Sequence, residues 1–375
     1  MGNNIPQGYK ATALGIIPQE WKTIRLKDCF SISAGGDVQK DCFSEAPSLQ
    51  YKYPIYSNSL FNHGLYGFTS HPRHKANSIT ITGRGALGHA EYREIDFDAI
   101  VRLLVLAPKI PLNGQYITEY INFRKPFFYE STGVPQLTAP QIANIQVLFP
   151  PLGEQRKIAE VLGVWDEAIE KQARLIEKLA LRKRGLMQRL LSAKLRLPGF
   201  SEPWKKVKLG DVAELYQPQT IQSEDLSQTG YPVYGANGLI GYYNNYNHEY
   251  PQVVITCRGS SCGTVNFTPG KCWITGNAMV LNVDNNRDVN KSFFYYLISN
   301  SSFVNLISGS GQPQIVRQPL LKFELRIPPL KEQTAIAEVL TAADREIDLA
   351  KEKLERLRRQ KRGLMQQLLT GKKRI

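Results

Sequence analysis

Cysteine and histidine are both scarce: the 375-residue chain holds five of each. Cys29, Cys42, Cys257, Cys262 and Cys272 are odd in number and form no Cys-x-x-Cys pair. That excludes a disulfide framework and suits a reducing compartment, with buried or inert thiols as the expectation. His71 and His74 lie close in sequence, but no ligand set converges on them, so no metal site is expected. No run of about 18 apolar residues occurs, so no transmembrane helix is expected. Residues 1–10 lack the apolar core of a signal segment. A cytoplasmic location with no membrane partner is the resulting expectation. Enzyme signatures are missing as well. There is no phosphate-binding Gly-x-x-x-x-Gly-Lys-Ser/Thr loop and no Gly-x-Ser-x-Gly elbow. The double prolines stand in Phe149-Pro150-Pro151-Leu152 and Ile327-Pro328-Pro329-Leu330, without the preceding Asp or Asn and following aromatic that an amino-methyltransferase would use. The chain reads as a binder that is non-catalytic on its own.

What is abundant is positive charge and repetition. The formal charge is +14 and the pI near 9.4. Such a balance suits a polyanion, either nucleic acid or an acidic membrane surface, although a merely soluble basic protein has the same composition. Length and a hydrophobic content of 42% allow two domains of ordinary size. Pro150-Pro151-Leu152-Gly153-Glu154-Gln155 recurs as Pro328-Pro329-Leu330-Lys331-Glu332-Gln333. Ile158-Ala159-Glu160-Val161-Leu162 recurs as Ile336-Ala337-Glu338-Val339-Leu340, and Lys183-Arg184-Gly185-Leu186-Met187-Gln188 as Lys361-Arg362-Gly363-Leu364-Met365-Gln366. Each repeats 178 positions on (150 to 328, 158 to 336, 183 to 361). Weaker matches precede them: Trp21-Lys22 with Trp204-Lys205, Leu26-Lys27-Asp28 with Leu209-Gly210-Asp211, Tyr53-Pro54-Ile55-Tyr56 with Tyr231-Pro232-Val233-Tyr234. A duplicated module gives a pseudo-two-fold molecule, able to read two half-sites or to hold two like partners.

Short apolar runs between turn signals predict strands at 78–82, 100–106 and 145–149, with counterparts at 253–256, 279–283 and 323–327. Helices are expected at 116–123 and 292–307. After each double proline a heptad seam begins. In the first copy it runs through Ile158, Leu162, Trp165, Ile169, Gln172, Ile176, Leu179, Lys183, Leu186 and Leu190. In the second it runs through Ile336, Leu340, Ala343, Ile347, Ala350, Leu354, Leu357, Lys361, Leu364 and Leu368. A helix over 154–191 would reach about 57 Å, more than one domain of this size buries. The two rods are therefore expected to pair antiparallel, with Trp165 opposite a small residue such as Ala343 or Ala350. Residues 193–203, with Pro198-Gly199 and Pro203, form the connector.

Three repeated loops are candidate contacts. Gly83-Arg84-Gly85-Ala86-Leu87-Gly88 spells GxGxxG, but no helical stripe follows and the second copy, Cys257-Arg258-Gly259-Ser260-Ser261-Cys262-Gly263, loses the pattern. A glycine turn fits better than a dinucleotide site. Both copies keep Arg beside Gly, and Arg84 and Arg258 suit guanine or phosphate as well as tying down their own loops. Tyr56-Ser57-Asn58 and Tyr234-Gly235-Ala236-Asn237 offer Asn58 and Asn237 for adenine, and Tyr56 and Tyr234 for phosphate or sugar, although turn chemistry explains the same composition. Ser131-Thr132-Gly133-Val134-Pro135-Gln136 and Ser310-Gly311-Gln312-Pro313-Gln314 add Gln136 and Gln314, readers or plain strand-entry turns.

Taken together, Trp21…Leu26-Lys27-Asp28, Tyr231-Pro232-Val233-Tyr234-Gly235, Ile255-Thr256-Cys257-Arg258-Gly259, the Pro-Pro-Leu-x-Glu-Gln helix start and the Lys-Arg-Gly-Leu-Met-Gln helix end resemble the specificity (S) subunit of type I restriction–modification enzymes. The resemblance covers nearly the whole chain. It implies an α+β (mixed α/β) fold with two target recognition domains, 1–150 and 197–327, joined by spacer helices at 151–196 and 328–375. It further implies double-stranded DNA as ligand, read as a bipartite asymmetric target, and two methyltransferase (M) subunits as partners, with restriction (R) subunits joining that core. S-adenosylmethionine, ATP and Mg²⁺ would then belong to those partners, with no cofactor on this chain. The alternative is a coiled-coil adaptor that touches DNA only non-specifically.

Overall fold

The heptad spacing is realised as two helices of 39 residues each, Leu152–Leu190 and Leu330–Leu368. A computed structural model describes residues 5–125, 135–235, 238–309 and 311–375. The chain divides into two compact units, residues 1–172 with 353–375 and residues 173–352. Each unit thus owns one mixed domain and a segment of both long helices.

In the first unit an antiparallel sheet runs in the order Phe30–Ala34, Leu104–Pro108, Ser78–Ile81, Ala90–Arg93. Every residue of Ser78–Ile81 is buried, as an apolar central strand requires. Helix Gly114–Arg124 packs on this sheet and starts where the Asn113 side chain accepts the Tyr116 amide at 2.8 Å. A second sheet joins Asp98–Ala99, Tyr53–Tyr56, Leu65–Thr69 and Phe43–Ser44. Lys22–Arg25 pairs with Gln146–Phe149 and delivers the chain to the double proline. Trp21, Phe30, Ile79, Leu106, Tyr116 and Ile121 form one core with Ile158 and Leu162 of the first long helix, Leu368 at the end of the second, and Leu369 just beyond it.

The second unit repeats this topology. Its sheet runs Glu214–Tyr216, Ala278–Asn282, Val253–Thr256, Val265–Phe267. Gly238–Tyr243, Tyr231–Gly235 and Trp273–Ile274 form the second sheet, and Lys205–Lys208 pairs with Glu324–Ile327. Asn290 caps helix Lys291–Ser299 by accepting the Phe293 amide at 3.0 Å. Leu190 and Leu191 share a core with Ile336, Ala337 and Leu340.

Within each unit the two long helices run antiparallel. In the first, Lys361 meets Asp166 while Arg374, just past the helix end, reaches back to Glu154. In the second, Lys183 meets Asp344, Arg182 meets Glu346, and Arg196 meets Glu332. The expected seam residues Ile158, Leu162, Leu179, Ile336, Leu340, Ile347 and Leu354 are buried, and Trp165, Ile169, Ile176, Leu357 and Leu364 half-buried. Ala350, expected opposite Trp165, packs instead with Leu179, Ile347 and Ile176.

Two expected elements differ. The strand expected at 100–106 begins at Leu104, because Val101 and Arg102 donate their amides to Gly36 and Gly35 at 2.9 and 3.0 Å and form a tight turn instead. The helix expected at 292–307 stops at Ser299. Beyond it the Ser301 hydroxyl bonds the Leu297 carbonyl at 2.8 Å, a local competitor for the helical ladder, and one 3₁₀ turn follows at Val304–Leu306.

Candidate nucleic-acid interface

In the first unit three loops converge at one end of the four-stranded sheet, and Asn58 ties them together. Its amide donates to the Val101 carbonyl at 2.6 Å, and its carbonyl accepts the Gly83 amide at 2.7 Å. Both ends of the side chain are thereby used inside the loop cluster. Gly83 has no room for a side chain: a Cβ there would stand 2.9 Å from the Leu137 carbonyl oxygen and 3.1 Å from that of Arg102. The Leu137 amide bonds the Gly83 carbonyl at 2.9 Å, which places Gln136 beside Arg84, and Arg84 donates to the Gln136 carbonyl at 3.3 Å. Arg84 and Arg102 are exposed at this tip. The Gly-rich stretch after Arg84 closes on itself, with Gly88 donating to Thr82 at 2.8 Å, and is a turn.

Tyr56 lies beneath rather than at the tip. The Arg93 guanidinium sits 3.6 Å from its ring centroid and donates to Thr80 Oγ1 at 2.9 Å and to the His63 carbonyl at 3.0 Å. Burial holds the Arg93 pKa below its ordinary value. The ring of Tyr56 is thus a platform for an internal cation.

Among the described residues the second unit brings the matching loops together through backbone hydrogen bonds. Ile315 donates to Cys257 at 2.9 Å and Gly259 to Pro313 at 3.0 Å, and Arg258 bridges Gln314. Arg258 and Gln314 are exposed, and Tyr234 is half-buried. In both units the glycine after the arginine is left-handed, Gly85 at φ +69° and Gly259 at +85°, which turns the chain sharply and leaves the arginine outermost. Asn237 lies outside the described residues, as do residues 131–134 and Ser310 of the third loop.

Sequence reasoning overlooked the joints below these tips, and the repeat explains them. Gln155 accepts the Asn113 amide and donates to the Pro150 carbonyl, both at 2.9 Å; Gln333 does the same with Asn290 and Pro328. Glu154 receives Trp21 Nε1 at 2.9 Å and Arg374 Nε at 2.6 Å. In the second unit Arg196 takes both oxygens of Glu332, at 2.6 and 2.8 Å, and Trp204 Nε1 is buried with no hydrogen-bond partner among the described residues. The Pro-Pro-Leu-x-Glu-Gln motif is therefore a brace joining strand end, domain helix and both rods. A second joint centres on the seam lysines. Lys361 reaches Glu119 and Asp166; Lys183 reaches Asp344, which also receives the Tyr296 hydroxyl at 2.8 Å. A lysine at the same seam position in both copies was the available signal.

Cys29, Cys257 and Cys272 are buried, and burial pushes the Cys29 and Cys257 thiols up to about 11. Among the described residues no group of three His, Cys, Asp or Glu is placed to hold a metal ion, and no helix is long and apolar enough to cross a membrane.

The family model described as type I restriction modification DNA specificity domain matches the chain twice, over residues 18–180 and 201–359. Among curated proteins the chain is 22% identical over 417 residues to the type I restriction enzyme MjaVIII specificity subunit of Methanocaldococcus jannaschii, covering 96% of this chain and 94% of that protein. It is 25% identical over 415 residues to the putative MjaX specificity subunit of the same organism, covering 98% and 97%. Among solved structures the S subunit of a type I restriction–modification system from M. genitalium has the same fold, with a TM-score of 0.67 at 17% identity over 98% of this chain and 97% of that one. With two domain matches that follow the internal repeat, the chain belongs to the type I restriction–modification DNA specificity family.

Proposed function

We propose that the chain reads a split, asymmetric double-stranded DNA target, one part through each unit, and seats two methyltransferase subunits through which restriction subunits join. The observation that carries this reading is the repetition of an exposed Arg-Gly tip at the same end of the same sheet in both units, Arg84-Gly85 and Arg258-Gly259. Arginine at a tip can fork onto guanine O6/N7 in the major groove, and the +14 charge supplies the sequence-independent attraction to phosphate. The tips differ in their neighbours, which is why the two half-sites should differ. Arg84, Gln136, Arg258 and Gln314 are the expected contacts; Asn58 and Tyr56 act behind them, with Asn237 and Tyr234 as their repeat counterparts. Off the seam the rods expose Val164, Leu175, Leu181 and Leu349, apolar surface suited to subunit docking. S-adenosylmethionine and adenine methylation fall to the M partners, ATP and Mg²⁺ to the R partners, in the cytoplasm.

The test is to sequence DNA modified by the complex of this chain with its methyltransferase. A split motif is expected. Inserting one heptad into each rod should lengthen the gap by about 10 Å, or about three base pairs. An unchanged gap would remove the ruler role. DNA binding that falls steeply with salt and prefers no sequence would instead favour the coiled-coil adaptor.

A further inference from the structure

We propose that the Val101–Arg102 turn of the first unit is a base-reading tip, with Arg102 forking onto a guanine edge and Val101 packing on an adjacent thymine methyl. This rests on the DNA-reading function proposed above and adds to it a residue pair that no repeat motif marks.

Both residues are left-handed, Val101 at φ +53° and Arg102 at φ +59°. The Leu103 amide closes back on the Ile100 carbonyl at 3.0 Å. Positive φ at both central positions is the geometry of a type I′ turn, which Asn-Gly fills without strain. A β-branched valine in that region is a genuine outlier. The strain is held by neighbours on three sides. Val101 and Arg102 donate to Gly36 and Gly35, the Asn58 amide clamps the Val101 carbonyl, and the Arg102 carbonyl abuts Gly83, the residue before Arg84. Such over-determined strain accumulates where a site must be pre-organised.

Neither side chain is buried in return. Val101 is 49% exposed. Arg102 is exposed, and among the described residues nothing accepts a hydrogen bond or ion pair from its guanidinium. A strained backbone that delivers an unpaired guanidinium and an isopropyl group side by side, next to Arg84, is matched by the major-groove edge of guanine beside thymine: two acceptors, then a methyl.

The second unit supplies an internal control. There Thr275 donates to Tyr234 at 2.9 Å and Ala278 to Thr275 at 3.0 Å, as Ile100 donates to Tyr56 and Leu103 to Ile100. The slot holds Gly276 and Asn277, and neither has a positive φ. The fold therefore does not require the strained turn.

The experiment uses the complex of the full chain with its methyltransferase partner and reads the modified motif by sequencing. Arg102→Ala should relax preference at one or two positions of one half-site by about tenfold or more, leaving the other half-site intact. The double variant Val101→Asn with Arg102→Gly fits the turn without strain. It should melt at or above the wild-type temperature and yet lose the same preference. Unchanged preferences in both variants would overturn the inference. So would a uniform loss across all sequences with a shallower salt dependence, which marks a phosphate contact only. A wild-type complex with no split motif would instead overturn the DNA-reading function itself, and this inference with it.

Discussion

Replacing Lys361 by Met should destabilise the first unit in a strongly pH-dependent way. The Lys361 ammonium stands 2.7 to 3.0 Å from four oxygens, two each from Glu119 and Asp166. It has three N–H groups to offer and one positive charge to balance two negative ones. The lysine and Glu119 side chains are only 13% and 12% exposed, so water screens the imbalance poorly. Burial, with Asp166 pushing the same way and Lys361 opposing, raises Glu119 from 4.5 to about 7. A carboxyl with a raised folded-state pKa stabilises the fold most below its unfolded value. That contribution fades as pH rises from about 4.5 to about 7, by about 3 kcal/mol. Without the lysine, Glu119 at pH 8 is a buried, uncompensated anion, and the loss should approach the roughly 3–5 kcal/mol of a broken buried pair. At pH 5.5 it takes up a proton and the loss shrinks to about 1 kcal/mol, that of a missing hydrogen bond. His63, His89, Glu91, Glu94 and Glu170 line the same groove, so Glu119→Gln is needed to isolate the titration, and it should flatten the wild-type slope. Lys183→Met is the control, since Lys183 balances one carboxylate, Asp344, which keeps the Tyr296 hydroxyl. Hydrogen exchange in Gly114–Arg124 and Lys291–Ser299, corrected for intrinsic rates, reports each unit separately. Equal losses at pH 5.5 and 8, or the same pH step for Lys183→Met, would refute the reasoning.

Trp21→Phe should cost about 1–3 kcal/mol, because it leaves a Glu154 oxygen without its indole donor, whereas Trp204→Phe, which removes an N–H with no hydrogen-bond partner among the described residues, should cost less; denaturant midpoints decide. Asn58→Ala unlinks the Gly83 amide from the Val101 carbonyl, so exchange in both loops should quicken and one half-site, not both, should weaken in modification mapping. Native alkylation at pH 8, followed by mass spectrometry, should label half-exposed Cys42 well before Cys29 and Cys257, whose thiols stay protonated; equal labelling would contradict their burial.

The rods were legible because a 3.5-residue period is written in side chains alone: Ile158, Leu162 and Leu179 need no distant partner to announce a seam. Central strands such as Ser78–Ile81 were legible for the same reason. The run from Ile100 to Leu106 was misleading because its β-branched and apolar residues fit a strand, while Gly35 and Gly36, some 65 positions earlier, take its amides and bend it. No local pattern encodes that. Asn58 illustrates a second blind spot. Its composition suits a base contact as well as a brace, and only the Gly83 and Val101 distances show the brace.

The two copies share the motif where rods meet domains and differ at the Val101–Arg102 tip, and mechanics gives a reason. A joint such as Glu154-Gln155 or Glu332-Gln333 must satisfy buried carbonyls, amides and a charge simultaneously, so changing one partner strands the others. A tip such as Val101–Arg102 or Gly276–Asn277 needs only its backbone clamped, and its side chains can vary without cost to the core. Even at a joint the exception follows this rule: Tyr296 stands where Glu119 does, and it keeps the hydrogen bond while removing the surplus charge. A chain organised this way can change what it reads while keeping how it is held.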